Sequence, residues 1–169
     1  MQHSGRILGI DPGSRKTGVG IIDRHGNSLR HIHHQTIHCS DGDFPSRLAT
    51  LFHTLKAIIL EYQPDVVAIE DLFIAKNANS ALKLGQARGA LIAACADSHC
   101  EIVSYTPTLI KKALSGFGRA DKRQMQYMVS MLLAIKEPLQ EDAADALAVA
   151  ICHAHHCPMQ SQHKKQHSR

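Results

Sequence analysis

The stretch Arg6-Ile-Leu-Gly-Ile-Asp-Pro-Gly13 is the starting point for predicting the fold. Its apolar run, followed at once by turn residues, predicts a buried β-strand that ends at the carboxylate of Asp11. Residues 17–23 predict a second strand, and the turn residues at 25–27 lead into a third strand over 28–38. The chain therefore begins with an antiparallel hairpin.

The rest of the chain alternates helices with two more strands. Residues 45–62 carry apolar side chains at helical spacing, and 65–70 predict a fourth strand that is buried on both faces, as in a parallel sheet. A fifth strand is predicted near 101–105. Further helices are predicted at about 80–98, 107–116, 121–134 and 141–156. The order βββαβαβααα indicates an α/β fold, a mixed five-stranded sheet flanked by helices.

Length and composition predict one globular domain over 1–157 and a disordered polar tail over 158–169. The net charge of +4 permits a nucleic-acid partner without requiring one. No apolar run reaches the ~20 residues of a membrane span, and no signal peptide is visible, so we expect a cytoplasmic protein without a membrane partner. The odd number of cysteines, five, without a C-x-x-C pair favours reduced thiols.

Four carboxylates are the candidate catalytic residues. Asp11 ends the first strand and Glu70 the fourth, so both would project from one edge of the sheet if these strands are parallel neighbours. Asp142 and Asp145 are three residues apart and share one face of the last helix. Helix capping would also explain this pair, and a common Asp-Pro-Gly turn would explain Asp11. Glu70 follows an apolar run, where an unpaired carboxylate is costly.

Convergence of these carboxylates would require divalent cations. Two bare carboxylates about 4 Å apart repel by about 4 kcal/mol at an effective dielectric of about 20. Ligand sets made only of oxygen favour Mg²⁺ or Mn²⁺ over zinc. Two such ions about 3.5–4 Å apart can activate a water and stabilise the leaving oxygen in phosphodiester hydrolysis. The pattern therefore predicts a hydrolytic reaction and not only a binding site.

Several motifs in sequence order resemble those of the RuvC crossover junction endodeoxyribonucleases, over about Arg6 to His156. The matching segments are Gly9-Ile-Asp-Pro-Gly-Ser14 with Thr17-Gly18, Ala68-Ile-Glu70 with Phe73, Lys76-Asn77, 80–89 and Asp142-Ala-Ala-Asp-Ala-Leu-Ala148. The resemblance implies an RNase H-like fold and a Mg²⁺-dependent homodimer. Such an enzyme nicks two symmetry-related strands of a Holliday junction, leaving 5′-phosphate and 3′-hydroxyl ends. It acts with the RuvA–RuvB branch-migration complex in DNA recombination and repair.

By this resemblance the metal ligands are Asp11, Glu70, Asp142 and Asp145. We expect Asp11 to bridge two Mg²⁺ ions in each active site, with Glu70 on one side and Asp142 or Asp145 on the other. Mn²⁺ is expected to substitute for Mg²⁺, and a water to attack the phosphate in line. Some relatives carry His at the position of Asp142, so the ligand type varies there.

The resemblance also implies DNA contacts. Phe73 matches an aromatic residue that stacks on bases at the open centre of the junction, whereas from the residues alone it would be placed in the core. Lys111 and Lys122 match basic residues that contact the backbone near the scissile phosphate. Lys76 and Arg119 are further candidates, for which a solvated surface charge is the alternative.

The helix after Glu70 carries a smooth ridge of Gly85, Gly89 and Ala93, four residues apart. A ridge of small residues allows close approach either of the sheet or of a second copy across a two-fold axis. A dimer suits two symmetric nicks because these need two equivalent sites.

Other interpretations remain open. Asp11-x-Gly13-Ser14 with Gly18 resembles the phosphate loop of actin-like ATPases and sugar kinases, but those proteins need two such domains and this chain has room for one. An RNase H that cuts RNA–DNA hybrids would use the same chemistry, and a junction-binding module would use none. Cys152 and His156, four apart on the last helix, permit a structural zinc site, with chance clustering as the alternative. No role is predicted for the His-rich segment 31–38.

Overall fold

The computed structural model describes residues 4–39, 41–72, 77–116 and 120–156. Within these ranges the chain forms five strands and five helices in the predicted order. Their bounds are β1 Ser4–Asp11, β2 Lys16–His25, β3 Ser28–His38, α1 Phe44–Tyr62, β4 Val66–Glu70, α2 Ala78–Asp97, β5 Glu101–Tyr105, α3 Pro107–Ser115, α4 Lys122–Leu132 and α5 Glu141–His156. The predicted tail, 158–169, lies outside the described residues.

The strands form one mixed sheet in the order β3-β2-β1-β4-β5. The first three are antiparallel neighbours, and β4 pairs in parallel with both β1 and β5. The hairpin between β2 and β3 turns at Gly26, whose φ of 61° lies in the left-handed region that glycine adopts without strain. The predicted mixed five-stranded sheet with flanking helices is therefore confirmed.

Helices cover both faces of the sheet because the central strands are apolar on both sides. Along β1, Ile7 belongs to the core beneath α3, α4 and α5, whereas Leu8 belongs to the core beneath α1 and α2. This alternation follows from the opposite directions of successive side chains in a strand. The two cores fix α5 on one face and α2 on the other.

The Ala-rich helix α5 lies unusually close to β1 and β2. A Cβ at Gly9 or at Gly18 would overlap the backbone carbonyl oxygen of Ala146 or of Asp142, respectively. Glycines at these strand positions therefore let the backbone of α5 approach the sheet. The acidic first turns of the helix are held above the end of β1 as a result.

Local signals set the helix ends. Asp121 caps α4 and forms a capping box with Gln124 at the start of this helix. The α4 helix ends two residues before the predicted end, since Ala134 adopts a φ of 52°. Cys39, Cys95, Cys100 and Cys152 are free thiols. None of the helices in the described part of the chain has the length and apolar character needed to cross a membrane.

Candidate active site

The ends of two parallel strands bring the first two candidate carboxylates together. Ile10 of β1 pairs with Ile69 of β4, so the next residue on each strand, Asp11 and Glu70, reaches the same edge of the sheet. Their side chains are hydrogen-bonded to each other. A hydrogen bond between two carboxyl groups requires one shared proton.

The start of α5 brings the other two carboxylates to the same place. Asp142 and Asp145 are half-buried on this helix, and the charge of each raises the pKa of Asp11. The placement depends on Gly18, which pairs with Asp11 in the sheet and packs against the backbone of Asp142. The other three candidates therefore all lie within electrostatic reach of Asp11.

Burial and mutual repulsion make this cluster hold a proton. Burial is the main reason that the pKa of Asp11 rises to about 9, and the hydrogen bond and charge of Glu70 add to it. Burial also raises the pKa of Glu70, although the hydrogen bond from Asp11 and the charges of Lys111 and Lys122 oppose the rise. The pair formed by Asp11 and Glu70 therefore retains a proton that the two carboxyl groups share.

These donors suit a hard divalent cation, although they are not arranged around one. Across the described ranges, no three His, Cys, Asp or Glu side chains are placed as ligands of a common ion. The negative charge is offset instead by the proton that Asp11 and Glu70 share and by Lys122, whose Nζ lies 3.5 Å from Asp145 Oδ2. Buried carboxylate oxygens with this excess of negative charge have the chemistry that Mg²⁺ or Mn²⁺ requires.

Two predicted DNA-binding lysines line the cleft beside the carboxylates. The cleft has a volume of about 260 Å³, and Lys111, Lys122, Glu70 and Asp145 contribute to its wall. Lys122 also forms an ion pair with Glu141, and this contact is the main cause of the raised pKa of the lysine. Sequence reasoning missed Glu141, although its position directly before Asp142 was a usable signal.

A second feature missed from the sequence is the support behind Glu70. Arg88 of α2 donates from Nε to the carbonyl oxygen of Glu70 at 3.2 Å. It also donates to Asp71 Oδ1 and to Ser104 Oγ, both at 2.8 Å. Asp71 is therefore directed toward α2 and away from the carboxylate cluster, and Arg88 fixes the backbone at the end of β4.

The loop after Asp11 is closed by a buried threonine. Thr17 Oγ1 donates to the Gly13 carbonyl oxygen at 3.0 Å and accepts from the Gly13 amide at 3.2 Å. Thr17 was included in the family motif but was given no role of its own. These two hydrogen bonds hold the turn that follows the first carboxylate.

Three predicted DNA-binding residues and the predicted ridge of small residues lie apart from this cleft or outside the described residues. Phe73, Lys76 and Arg119 lie outside the described residues, so their DNA contacts stay predictions. The small-residue ridge does not pack on the sheet, because Gly85, Gly89 and Ala93 are exposed. A Cβ at Gly89 would have no neighbour within 4 Å.

The zinc alternative on α5 finds no support among the described residues. Cys152 Sγ lies 3.6 Å from His156 Nδ1, but that nitrogen also lies 2.9 Å from the Cys152 carbonyl oxygen. Burial raises the pKa of the Cys152 thiol to about 12, which disfavours the thiolate that zinc binds. The neighbouring His153 is hydrogen-bonded to Tyr105 through Nδ1 at 2.8 Å.

Comparison with known proteins matches this chain to one family over most of its length. The family model described as crossover junction endodeoxyribonuclease RuvC matches residues 7–153. A protein of that name from Geobacter sp. (strain M21) is 55% identical over 154 residues, which cover 90% of this chain and 94% of the relative. One from Citrifermentans bemidjiense is 56% identical over 150 residues, with coverages of 88% and 92%.

Solved structures agree with the sequence relatives. Thermus thermophilus RuvC in complex with a Holliday junction substrate superposes with a TM-score of 0.85 at 30% identity, covering 89% of this chain and 93% of that one. The yeast mitochondrial Holliday junction resolvase shares the fold, with a TM-score of 0.65 at 17% identity, covering 88% of this chain and 77% of that one.

Proposed function

The chain belongs to the RuvC family of crossover junction endodeoxyribonucleases, and from this we propose that it resolves Holliday junctions in DNA recombination and repair. The reaction is the hydrolysis of two symmetry-related phosphodiester bonds, leaving 5′-phosphate and 3′-hydroxyl ends. The family match includes all four clustered carboxylates, since it extends over residues 7–153. The similar Thermus thermophilus structure contains a Holliday junction substrate, which supports a four-way junction as the substrate here.

The observation that carries the proposal is the buried carboxylate cluster. Asp11, Glu70, Asp142 and Asp145 would bind two Mg²⁺ ions, or Mn²⁺ in their place. These ions would neutralise the developing charge and lower the pKa of the attacking water. Asp11 must release its proton before it can act as a ligand. The mutual effect of Asp11 and Glu70 on their pKa values supports this role, because it requires the two carboxyl groups to be neighbours.

The lysines of the cleft would hold the DNA backbone beside the carboxylates. Lys111 and Lys122 come from two different helices and line the same wall as Glu70. Lys122 would leave Asp145 when a cation neutralises that carboxylate, and its ammonium group would then be available to a phosphate oxygen. Phe73, Lys76 and Arg119 would extend the DNA contact, by resemblance alone.

The exposed ridge on α2 would form the homodimer interface. Leu82 lies one turn before Gly85 on this helix and is 62% exposed, so an apolar side chain and a smooth small-residue surface are both open to a partner. A second copy would provide the second site that two symmetric nicks require. Family membership alone supports RuvA–RuvB as a partner and the cytoplasm as the location.

The decisive experiment compares three substrates. Purified protein is incubated with a mobile four-way junction, a linear duplex and an RNA–DNA hybrid, each with Mg²⁺ or with EDTA. We expect paired, symmetric nicks on the junction alone, lost with EDTA and in Asp145→Asn. Asp71→Asn is the matched control, because this neighbouring carboxylate is directed toward Arg88. Cleavage of the hybrid alone would instead assign the site to an RNase H.

A binding assay completes the test. Asp145→Asn is expected to keep junction affinity while it loses cleavage, since this half-buried residue contributes to the chemistry rather than to the surface that holds the DNA. If wild-type protein binds the junction but cleaves none of the substrates, the proposal of a nuclease is wrong and the chain is a binding module.

A further inference from the structure

The His-rich segment of edge strand β3 has an irregular backbone. Ile21 of β2 pairs with His33, but Ile22 pairs with His31, so Ile32 is the extra residue of a β-bulge. In a regular strand, two residues three apart point to opposite faces. The bulge changes this alternation and places His31 and His34 on one face.

The bulge brings the two imidazole rings into contact. His34 Nδ1 lies 2.8 Å from His31 Nε2, and the ring centroids are 4.9 Å apart. His33 points the other way and stacks on Tyr62 of α1 at 4.8 Å between centroids. Burial is the main cause of the lowered pKa of His31 and of His34, which favours the neutral rings, and a neutral imidazole keeps one nitrogen lone pair.

The paired rings face a cavity whose far wall is the connection from α4 to α5. The cavity has a volume of about 570 Å³, and residues 132–137 line it together with His31 and His34. Glu137 is exposed on this connection, and its negative charge acts on His34 to raise the pKa against the effect of burial. A residue with a carboxylate therefore lines the same accessible space as two adjoining imidazoles.

We propose that His31 Nε2 and His34 Nδ1 bind a divalent transition-metal ion such as Zn²⁺ or Ni²⁺, with the carboxylate of Glu137 as third ligand. Imidazole nitrogens suit these ions, whereas Mg²⁺ prefers oxygen. Two nitrogens at about 2.0–2.1 Å from one metal lie roughly 2.9–3.4 Å apart, so the nitrogens need to separate only slightly while the rings turn to direct both lone pairs at the ion. The proton between them moves to the other nitrogen of the donating ring.

The proposed metal site is not fully formed before the ion binds. Glu137 must turn inward, since in the described ranges no three ligand-type side chains already surround one point. Its exposure leaves the side chain free to rotate. The bound ion would connect edge strand β3 to the segment that enters α5, and it would stabilise the native protein in proportion to the metal concentration. This site is independent of the nuclease site and of its proposed function.

Metal stoichiometry tests the proposal. Full-length protein is dialysed against Zn²⁺ or Ni²⁺ in millimolar Mg²⁺, which occupies hard-ligand sites, and bound metal is measured by mass spectrometry. Wild type and His33→Gln are expected to bind one more ion per chain than His31→Gln or His34→Gln. His33 is the matched control because it lies on the same strand but faces α1. Equal stoichiometry in all four proteins would overturn the proposal, because the binding would then belong to cysteines or to other histidines.

Two further measurements keep the test decisive. Glu137→Gln changes an exposed side chain, and we expect it to weaken binding by about 10-fold or more. An unchanged affinity would remove Glu137 from the ligand set. If a His variant fails to fold, ring-nitrogen spectra of ¹⁵N-histidine-labelled wild type replace it. Metal-dependent shifts at His31 and His34, with none at His33, support the site, and shifts confined to other histidines overturn it.

Discussion

Asp11 at the end of β1 and Glu70 at the end of β4 share a hydrogen bond, so a proton lies between two side chains that would hold a cation in a nuclease. Burial and three neighbouring carboxylates raise the pKa of Asp11 to about 9. The native state therefore takes up a proton at neutral pH that the unfolded chain, with an ordinary Asp, does not bind. The site is costly to the fold in the absence of metal.

This cost predicts that Asp11→Asn gains stability while it loses activity. The asparagine amide can donate to Glu70 in place of the shared proton, without binding a proton from solution. With a folded pKa above the unfolded value, the stability contributed by the wild-type side chain is full below about pH 3.8 and falls as the pH rises toward 9. In EDTA at pH 7 we expect the melting temperature of Asp11→Asn to exceed that of wild type, by ~2–4 °C for each kcal/mol gained in the free energy of unfolding.

The matched variant Asp71→Asn is expected to lower the melting temperature in the same buffer, because it weakens the ion pair with Arg88. A melting temperature of Asp11→Asn at or below that of wild type in EDTA would contradict the assignment of the shared proton.

The close packing of α5 leads to a second expectation, on the glycines of β1. Gly9→Ala places a Cβ into the backbone of α5 at Ala146, and a backbone atom cannot rotate away. The helix must shift, and we expect a loss of about 1–3 kcal/mol in the free energy of unfolding. A displacement of Asp142 and Asp145 by about 1 Å would lower cleavage roughly 100-fold.

Gly5→Ala on the same strand is the control for this effect. A Cβ there would lie 3.4 Å from Asp65 Oδ2, the end of a side chain. Chemical denaturation and junction cleavage should both stay close to wild type in this variant. Equal effects of the two substitutions would show that the glycines act through strand propensity and not through contact with α5.

The sequence predicted the elements better than the contacts between them. Patterns of apolar residues and turn signals placed β3, β5 and α5 at the bounds that the structure has, because these signals are local. Asp11 and Glu70 could be paired in advance because strand ends meet at one edge of a parallel sheet. The ion pair of Lys122 with Glu141 could not be predicted from the sequence, since it depends on how α4 packs against α5.

The bulge at Ile32 was also beyond reach from the sequence. An apolar residue at this position fits a regular strand as well as a bulge. Which of the two forms depends on the register between β2 and β3. The contact of His31 with His34 follows from that register alone. The contacts of Arg88 with Glu70 and Asp71 were likewise not predictable, because they depend on how α2 packs beside β4.

A third expectation concerns pH and the far end of α5. His153 is buried, and burial is the main cause of its lowered pKa, while Tyr105 hydrogen-bonds its Nδ1 at 2.8 Å. The stability contributed by a group with a depressed pKa is present above the unfolded value of about 6.5 and is lost as the pH falls below it. His153→Gln should therefore cost about 1–3 kcal/mol of unfolding free energy at pH 7.5 and less at pH 5.5. Urea denaturation at both pH values checks this, and a cost independent of pH would contradict it.

A fourth expectation concerns the different contributions of the two lysines of α3 to cleavage. Lys111 lines the cleft with Glu70, and the next residue, Lys112, is exposed on the same helix. Lys111→Gln should lower single-turnover cleavage at least about 10-fold, because a positive charge beside the scissile phosphate stabilises the transition state. Lys112→Gln should change only the salt-dependent affinity for DNA, by a small amount. Equal losses of cleavage in both variants would reduce Lys111 to a general contribution of charge.

The fifth expectation tests the α2 ridge as the dimer interface. Leu82 is 62% exposed on α2, and Leu60 is 77% exposed on α1, so glutamate at either position should leave the fold intact. Only Leu82→Glu would bring two like charges to a two-fold interface, and sedimentation at micromolar concentration should show a monomer. Its nicks on the two junction strands should become independent events, because each site then arrives separately. Leu60→Glu should sediment as wild type does. A dimer that persists in Leu82→Glu and dissociates in Leu60→Glu would move the interface from α2 to α1.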